Sequence, residues 1–199
     1  MATPTSPITW DLDYDAAQFI PLPPAAELAD RPETARTWID AVLGHYESAA
    51  ALTDGDRQGL TVTAEALLAM VEPFVTRLWF APPGVYSDVL VSIVVTDLAG
   101  ETAREIVEGA TTSPGATAAD GIAIETDAHG SGILIRRTDG VQPEDGRALL
   151  VAQWDLLLEN GDVLIAVNAM GTTLPVFARL EEELLRLVEG IRLPDRVGA

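Results

Sequence analysis

Three groups of residues in this chain have the types and spacings from which chemistry can be built. Gln153, Asp155 and Asn168 offer one carboxylate and two amides. A carboxylate only accepts hydrogen bonds, while an amide both donates and accepts, so the trio could line a polar ligand pocket. Asp127, His129 and Ser131 crowd one turn and form the best available Ser/His/Asp set. A nucleophilic triad is built from separate segments, and no nucleophile-elbow motif is present. The turn therefore reads as loop hydrogen bonding. The remaining histidine, His45, lies in a helical stretch beside Tyr46 and reads as structural or surface.

The third group is Asp11, Asp13 and Asp15. In extended chain they share a face, an arrangement that attracts a hard cation. The start is like an EF-hand loop, but Ala16 stands where glycine is needed and Leu22 where the bidentate glutamate belongs. We read a solvated acidic edge. No glycine-rich phosphate loop, dinucleotide fingerprint or two-histidine metal motif occurs, so no catalytic residue, metal or cofactor is assigned.

These residues need a scaffold, and its clearest part runs from Arg147 to Ile191. Apolar runs Ala148–Leu158 and Val163–Ala169 flank Asn160-Gly161, the signature of a two-residue hairpin. With the turn at those two residues, Leu158 faces Val163, Leu156 faces Ile165 and Trp154 faces Val167. All six share an apolar side. The other side carries Gln153, Asp155, Leu157, Leu164, Ala166 and Asn168, with Gln153 opposite Asn168. A helix from Pro175 to Glu189 follows, with Thr173 as N-cap and Gly190 and Pro194 as stops. Its stripe of Phe177, Leu180, Leu184, Leu187 and Ile191 covers the Trp154 side.

Upstream, short strands are expected near Ile8–Leu12 and Gln18–Leu22. Helices are expected over Glu33–Ala51, with Asp30 as N-cap, and over Thr63–Phe74, with Thr53–Gly59 as a loop. Strands Phe74–Phe80 and Val85–Asp97 turn at Pro82-Pro83-Gly84. A short helix Glu101–Glu108, a loop Thr111–Asp120, a hairpin of Gly121–Asp127 with Gly132–Thr138, and a loop Val141–Gly146 come next. The expected fold is α+β. A mainly antiparallel sheet of six to eight strands packs with three or four helices, and the chain closes with a β-hairpin and a C-terminal helix. Residues 1–199 read as one domain, whose proline-rich, acidic first 30 residues supply edge strands.

Composition narrows the partners. A net charge of −19 argues against nucleic acid and anionic membrane surfaces, whereas a protein partner or self-association is compatible with it. All twelve cations are arginine, which fits a G+C-rich coding sequence. The absence of cysteine excludes disulfides, thiolate catalysis and cysteine-ligated metal. Met1–Pro7 has no basic or apolar signal region, and no apolar run approaches the roughly twenty residues of a membrane span. The expectation is a soluble, cytoplasmic protein without membrane insertion.

The order of elements resembles the Mog1/PsbP-like α/β sandwiches of G+C-rich bacteria. The resemblance rests on Phe19-Ile20-Pro21-Leu22-Pro23, the strand Leu149–Leu158, Asn160-Gly161, the strand Val163–Ala169 and the helix ending at Ile191. It covers mostly the last third, and the helical insertion Glu33–Phe74 departs from it. It implies a scaffold for binding and assembly, tied to a secretion or envelope system, and it brings no catalytic residue. Two function classes follow. One is a non-catalytic binding or adaptor protein. The other is a small-molecule binder or enzyme using the polar sheet face.

Overall fold

The computed structural model describes residues 8–98, 120–141 and 148–194. Its strands are β1 (Asp11–Leu12), β2 (Phe19–Pro21), β3 (Thr76–Phe80), β4 (Val89–Asp97), β5 (Asp120–Thr126), β6 (Gly130–Val141), β7 (Leu149–Asn160), β8 (Val163–Gly171) and β9 (Ile191–Arg192). Its helices are α1 (Ala25–Asp30), α2 (Glu33–Ala49), α3 (Asp54–Leu68) and α4 (Leu174–Glu189). Seven strands form an antiparallel sheet in the order β2-β3-β4-β8-β7-β6-β5, and β1 pairs with β9. This is the expected α+β architecture, with its closing hairpin and helix. The expected helix at 101–108 and the loops at 111–119 and 142–146 lie outside the described residues. No described helix is long and apolar enough to cross a membrane.

Strand alternation sends apolar side chains to both faces of the β2–β3–β4 half of the sheet. Leu78 and Phe80 join the core under α4, and Trp79 between them joins a second core under α2 and α3. The second core packs Trp79 with Trp38, Val42, Tyr46 and Leu60. The Trp79 indole N–H donates to the Ser87 carbonyl at 2.9 Å, which satisfies the one polar atom that this ring buries.

Helix α4 covers the opposite face. Leu180, Leu184 and Leu187 are buried, and each such side chain contributes about 1.5–3 kcal/mol. Trp154 reaches α4 through the Phe177 ring, 5.2 Å between centroids, and the Arg136 guanidinium stacks on its indole at 4.7 Å. The helix start is held from outside. Thr173 is the N-cap residue, but its side chain makes no capping bond. The Asp88 carboxylate accepts instead from the backbone N–H of Thr172 at 2.9 Å and of Thr173 at 2.8 Å, and from the Thr172 hydroxyl.

Several local expectations change, among them the helix expected over Thr63–Phe74, which ends at Leu68, and the strand expected from Val85, which begins at Val89. The stretch Thr53–Gly59 is not a loop, because α3 begins at Asp54. Thr53 and Asp56 form a capping box there, with the Asp56 N–H donating to Thr53 Oγ1 at 3.2 Å and the Thr53 N–H to Asp56 Oδ2 at 2.9 Å. These bonds outweigh the low helix propensity of Gly55 and Gly59. Asp30 ends α1 rather than capping α2, whose N-cap is Pro32. The β7–β8 turn is Gly161-Asp162 rather than Asn160-Gly161, so Asn160 pairs with Val163. Gly161 takes φ 62° and Asp162 keeps an ordinary negative φ, the type II′ pattern with glycine first. The shift moves each partner by two residues. Face assignments survive, but Trp154 now faces Ala169, and Asp155, not Gln153, faces Asn168.

Gly190 does more than stop α4. Its carbonyl accepts from the Asp13 N–H at 2.9 Å, and a Cβ at this position would lie 1.9 Å from the Asp13 carbonyl oxygen. Only glycine lets the N-terminal segment close on the end of the helix.

Candidate functional site

The sheet register assembles the polar trio. Ser92, Asn168, Asp155 and Ile135 lie in one row across β4, β8, β7 and β6. Asn168 Nδ2 donates to Asp155 Oδ1 at 2.6 Å. Gln153 Nε2 stands at 3.4 and 3.5 Å from the two carboxylate oxygens, a long contact. A fourth member completes the set. Arg137, opposite Gln153 on β6, donates from Nη2 to Asp155 Oδ2 at 2.8 Å. The Arg137 and Asp155 side chains are 18% and 17% exposed, so the pair is largely but not fully withdrawn from water. Arg137 Nε is buried and has no hydrogen-bond partner.

Gln153, Asp155 and Asn168 are thus brought together, with both amide nitrogens turned toward the Asp155 carboxylate. Arg137 was missed because its arrival depends on the β6–β7 register, which no two-residue turn sets. The available signal was the Arg136-Arg137 pair on an alternating strand. One of the two had to share the Asp155 face.

The Asp127–Ser131 turn is tied differently. His129 is buried. Its Nε2 donates to the Val188 carbonyl at 2.9 Å, since a carbonyl can only accept, and its Nδ1 accepts from Asn160 Nδ2 at 3.1 Å. Both ring nitrogens are therefore engaged by residues outside the supposed triad. Ser131 Oγ donates to Glu125 at 3.1 Å. The Asp127 and Ala128 N–H groups donate to the Glu189 carboxylate at 2.7 and 2.9 Å. The turn is a latch onto the end of α4. His45 is likewise a link, its Nε2 2.9 Å from the Ala81 carbonyl at the end of β3.

The aspartates of the N-terminal segment separate into local roles. Asp13 pairs with Arg192 at 3.0 Å, and both side chains are strongly exposed. Asp15 Oδ1 accepts from its neighbour Ala17 N–H at 2.8 Å. Among the described residues no group of three His, Asp or Glu is placed to hold a metal ion.

Three hollows indent the described surface, one of them, of about 570 Å³, between α2 and α3. Another, of about 450 Å³, lies between α4 and the N-terminal segment and is bordered by Asp13, Asp15, Glu183, Arg186 and Arg192. The third, about 340 Å³, opens where the end of α2 meets the start of α3. The fold and these features define an antiparallel α+β scaffold with internally bonded polar clusters. No protein-family model and no curated protein matches the chain.

Proposed function

We propose that this chain is a non-catalytic binding protein, an adaptor whose sheet and helices present surfaces and hollows to other molecules. The observation that carries this reading is the engagement of His129. A general base needs a ring nitrogen within reach of a substrate proton, and both of its nitrogens bond within the fold. A role in a secretion or envelope system is the setting that the Mog1/PsbP-like resemblance implies.

A second reading, a small-molecule binder or enzyme working on the Asp155 face, is favoured by the residual exposure of Arg137 and Asp155 and by the unpartnered Arg137 Nε. One experiment separates the two. Thermal-shift screening against a metabolite library finds binders, and NMR then watches each bound compound for conversion. The expected result is stabilisation without conversion. Turnover that disappears in the double variant His129→Ala, Asp155→Asn, with binding and folding intact, would make the protein an enzyme.

A further inference from the structure

The seven-stranded sheet has two edges, and they are built differently. The β2 edge is guarded. It is three residues long, contains Pro21, and has the Pro21 carbonyl occupied by the Trp38 indole N–H at 2.7 Å. Short length, proline and a covering helix all keep a further chain from adding to a sheet. The β5 edge is open. It runs for seven residues, Asp120–Thr126, without proline or a basic residue, and among the described residues no strand pairs with its outer side. Asp120, Gly121, Ile122, Ala123 and Glu125 are all exposed, Ile122 to 39%. Alternate residues of an edge strand turn their N–H and C=O groups outward, where another strand can bond them.

This edge is also held ready. The turn that joins β5 to β6 is tied to α4 by His129 and by two N–H bonds to Glu189. Little order then remains to be imposed when a strand docks.

The residues of β5 are complementary to themselves. In an antiparallel pair of two copies centred on Ala123, all seven residues overlap. Ala123 meets the partner's Ala123, Ile122 meets the partner's Ile124, Gly121 the partner's Glu125 and Asp120 the partner's Thr126. No carboxylate opposes another. A slip of one residue would set Asp120 against the partner's Glu125, and like charges directly opposite destabilise a pair. The same slip would send the two α4 helices to opposite faces. In the central register both helices lie on one face. There Ile122 lengthens the apolar core under α4, against which Ile124 already packs.

We infer that the chain forms a homodimer by pairing β5 with β5 of a second copy, antiparallel about Ala123, so that one sheet runs through both copies. The contact is two-fold and closes on itself, and the guarded β2 edge stops growth beyond two copies. The inference goes beyond the proposed function, because an adaptor and an enzyme can equally be dimeric. A strand of this length spans about 23 Å. Such a contact buries less than the roughly 1,200 Å² of a standard interface, so the dimer is weak and dissociates in the micromolar range. Each copy carries −19, so salt screens their repulsion and strengthens the pair.

Sedimentation equilibrium of the full chain, from about 1 to 500 μM, tests the pairing. We expect a monomer–dimer equilibrium with no larger species, tightened at least threefold when NaCl rises from about 0.05 to 0.5 M. Ala123→Glu and Ala123→Lys each put like charges on the axis, and each stays monomeric with the far-UV circular dichroism and Tm of the parent. Mixed in equal amounts, the two variants dimerise again. The chain has no cysteine, so Ala123→Cys can form a disulfide only between copies. Directly opposed residues, about 4.5–5.5 Å apart at Cα, suit such a bond. Under mild oxidation this variant should cross-link at least tenfold faster than Val62→Cys, an exposed position on α3. A chain that stays monomeric throughout overturns the inference. So does a dimer that survives Ala123→Glu, a mixture of the two charged variants that stays monomeric, or Ala123→Cys that cross-links no faster than Val62→Cys. Species larger than a dimer would refute the closed two-fold contact.

Discussion

His129 donates from Nε2 to the carbonyl oxygen of Val188 at 2.9 Å, across 59 residues of chain, and so fastens the β5–β6 turn to the last turn of α4. The Glu189 carboxylate repeats the connection one residue on, accepting two backbone N–H groups of the same turn. The sheet beyond β7 is therefore held to the helix at its end as well as through the apolar core.

Removing the ring breaks that fastening. His129→Ala leaves the Asn160 amide and the Val188 carbonyl without this partner, at a cost of about 1–3 kcal/mol. Chemical denaturation should show a lower midpoint, and hydrogen exchange should quicken at Asp127 and Ala128. A variant with the parent midpoint and unchanged exchange would count against the latch.

Asp155 is the hub of its cluster. Asp155→Ala strands the Arg137 guanidinium and removes the partner of Asn168. Breaking a buried ion pair from one side costs about 3–5 kcal/mol, and the residual exposure of this pair lowers the expectation to about 2–4 kcal/mol. The double variant Arg137→Met, Asp155→Leu should recover most of the loss, because no uncompensated charge remains. A double-mutant cycle measures the coupling, and additive losses would refute it.

Asp88 makes stability depend on pH. Burial by itself would raise its pKa, but hydrogen bonds from Thr172 and Thr173 outweigh that and lower it. A lowered folded-state pKa gives stability that is present above the unfolded value of about 3.9 and is lost as pH falls through the folded value. In acid titrations from pH 6 downward, wild type should lose this contribution while Asp88→Ala, already lower by about 1–2 kcal/mol, should not. Parallel Tm curves for the two proteins would exclude the linkage.

Gly190→Ala tests the N-terminal closure. The new methyl would collide with the Asp13 carbonyl, so β1 should separate from β9 while the seven-stranded sheet persists. Limited proteolysis should then cut near Asp13 at least tenfold faster, with near-native far-UV circular dichroism. Protection equal to wild type would show that the backbone shifts at no cost.

The sequence by itself determined whatever depends on local period. Alternation in β7 and β8 assigned Trp154, Leu156 and Val167 to one face and Asp155 and Asn168 to the other, and the 3.6-residue stripe of α4 identified the layer that covers the first. Face assignment survived a misplaced turn because the shift was two residues, which preserves parity. The Thr53–Asp56 capping box was also legible, but the two glycines of that stretch argued for a loop. Tertiary structure decided the partners. Arg137 reaches Asp155, His129 reaches Val188 and Asp88 reaches Thr173 across 18, 59 and 85 residues. The hollow over Tyr46 likewise exists only where the ends of two helices and a loop converge. Such meetings are set by how β6 registers on β7 and how α4 seats on the sheet. Those choices are made by the packing of the whole core, and no short window of sequence contains them.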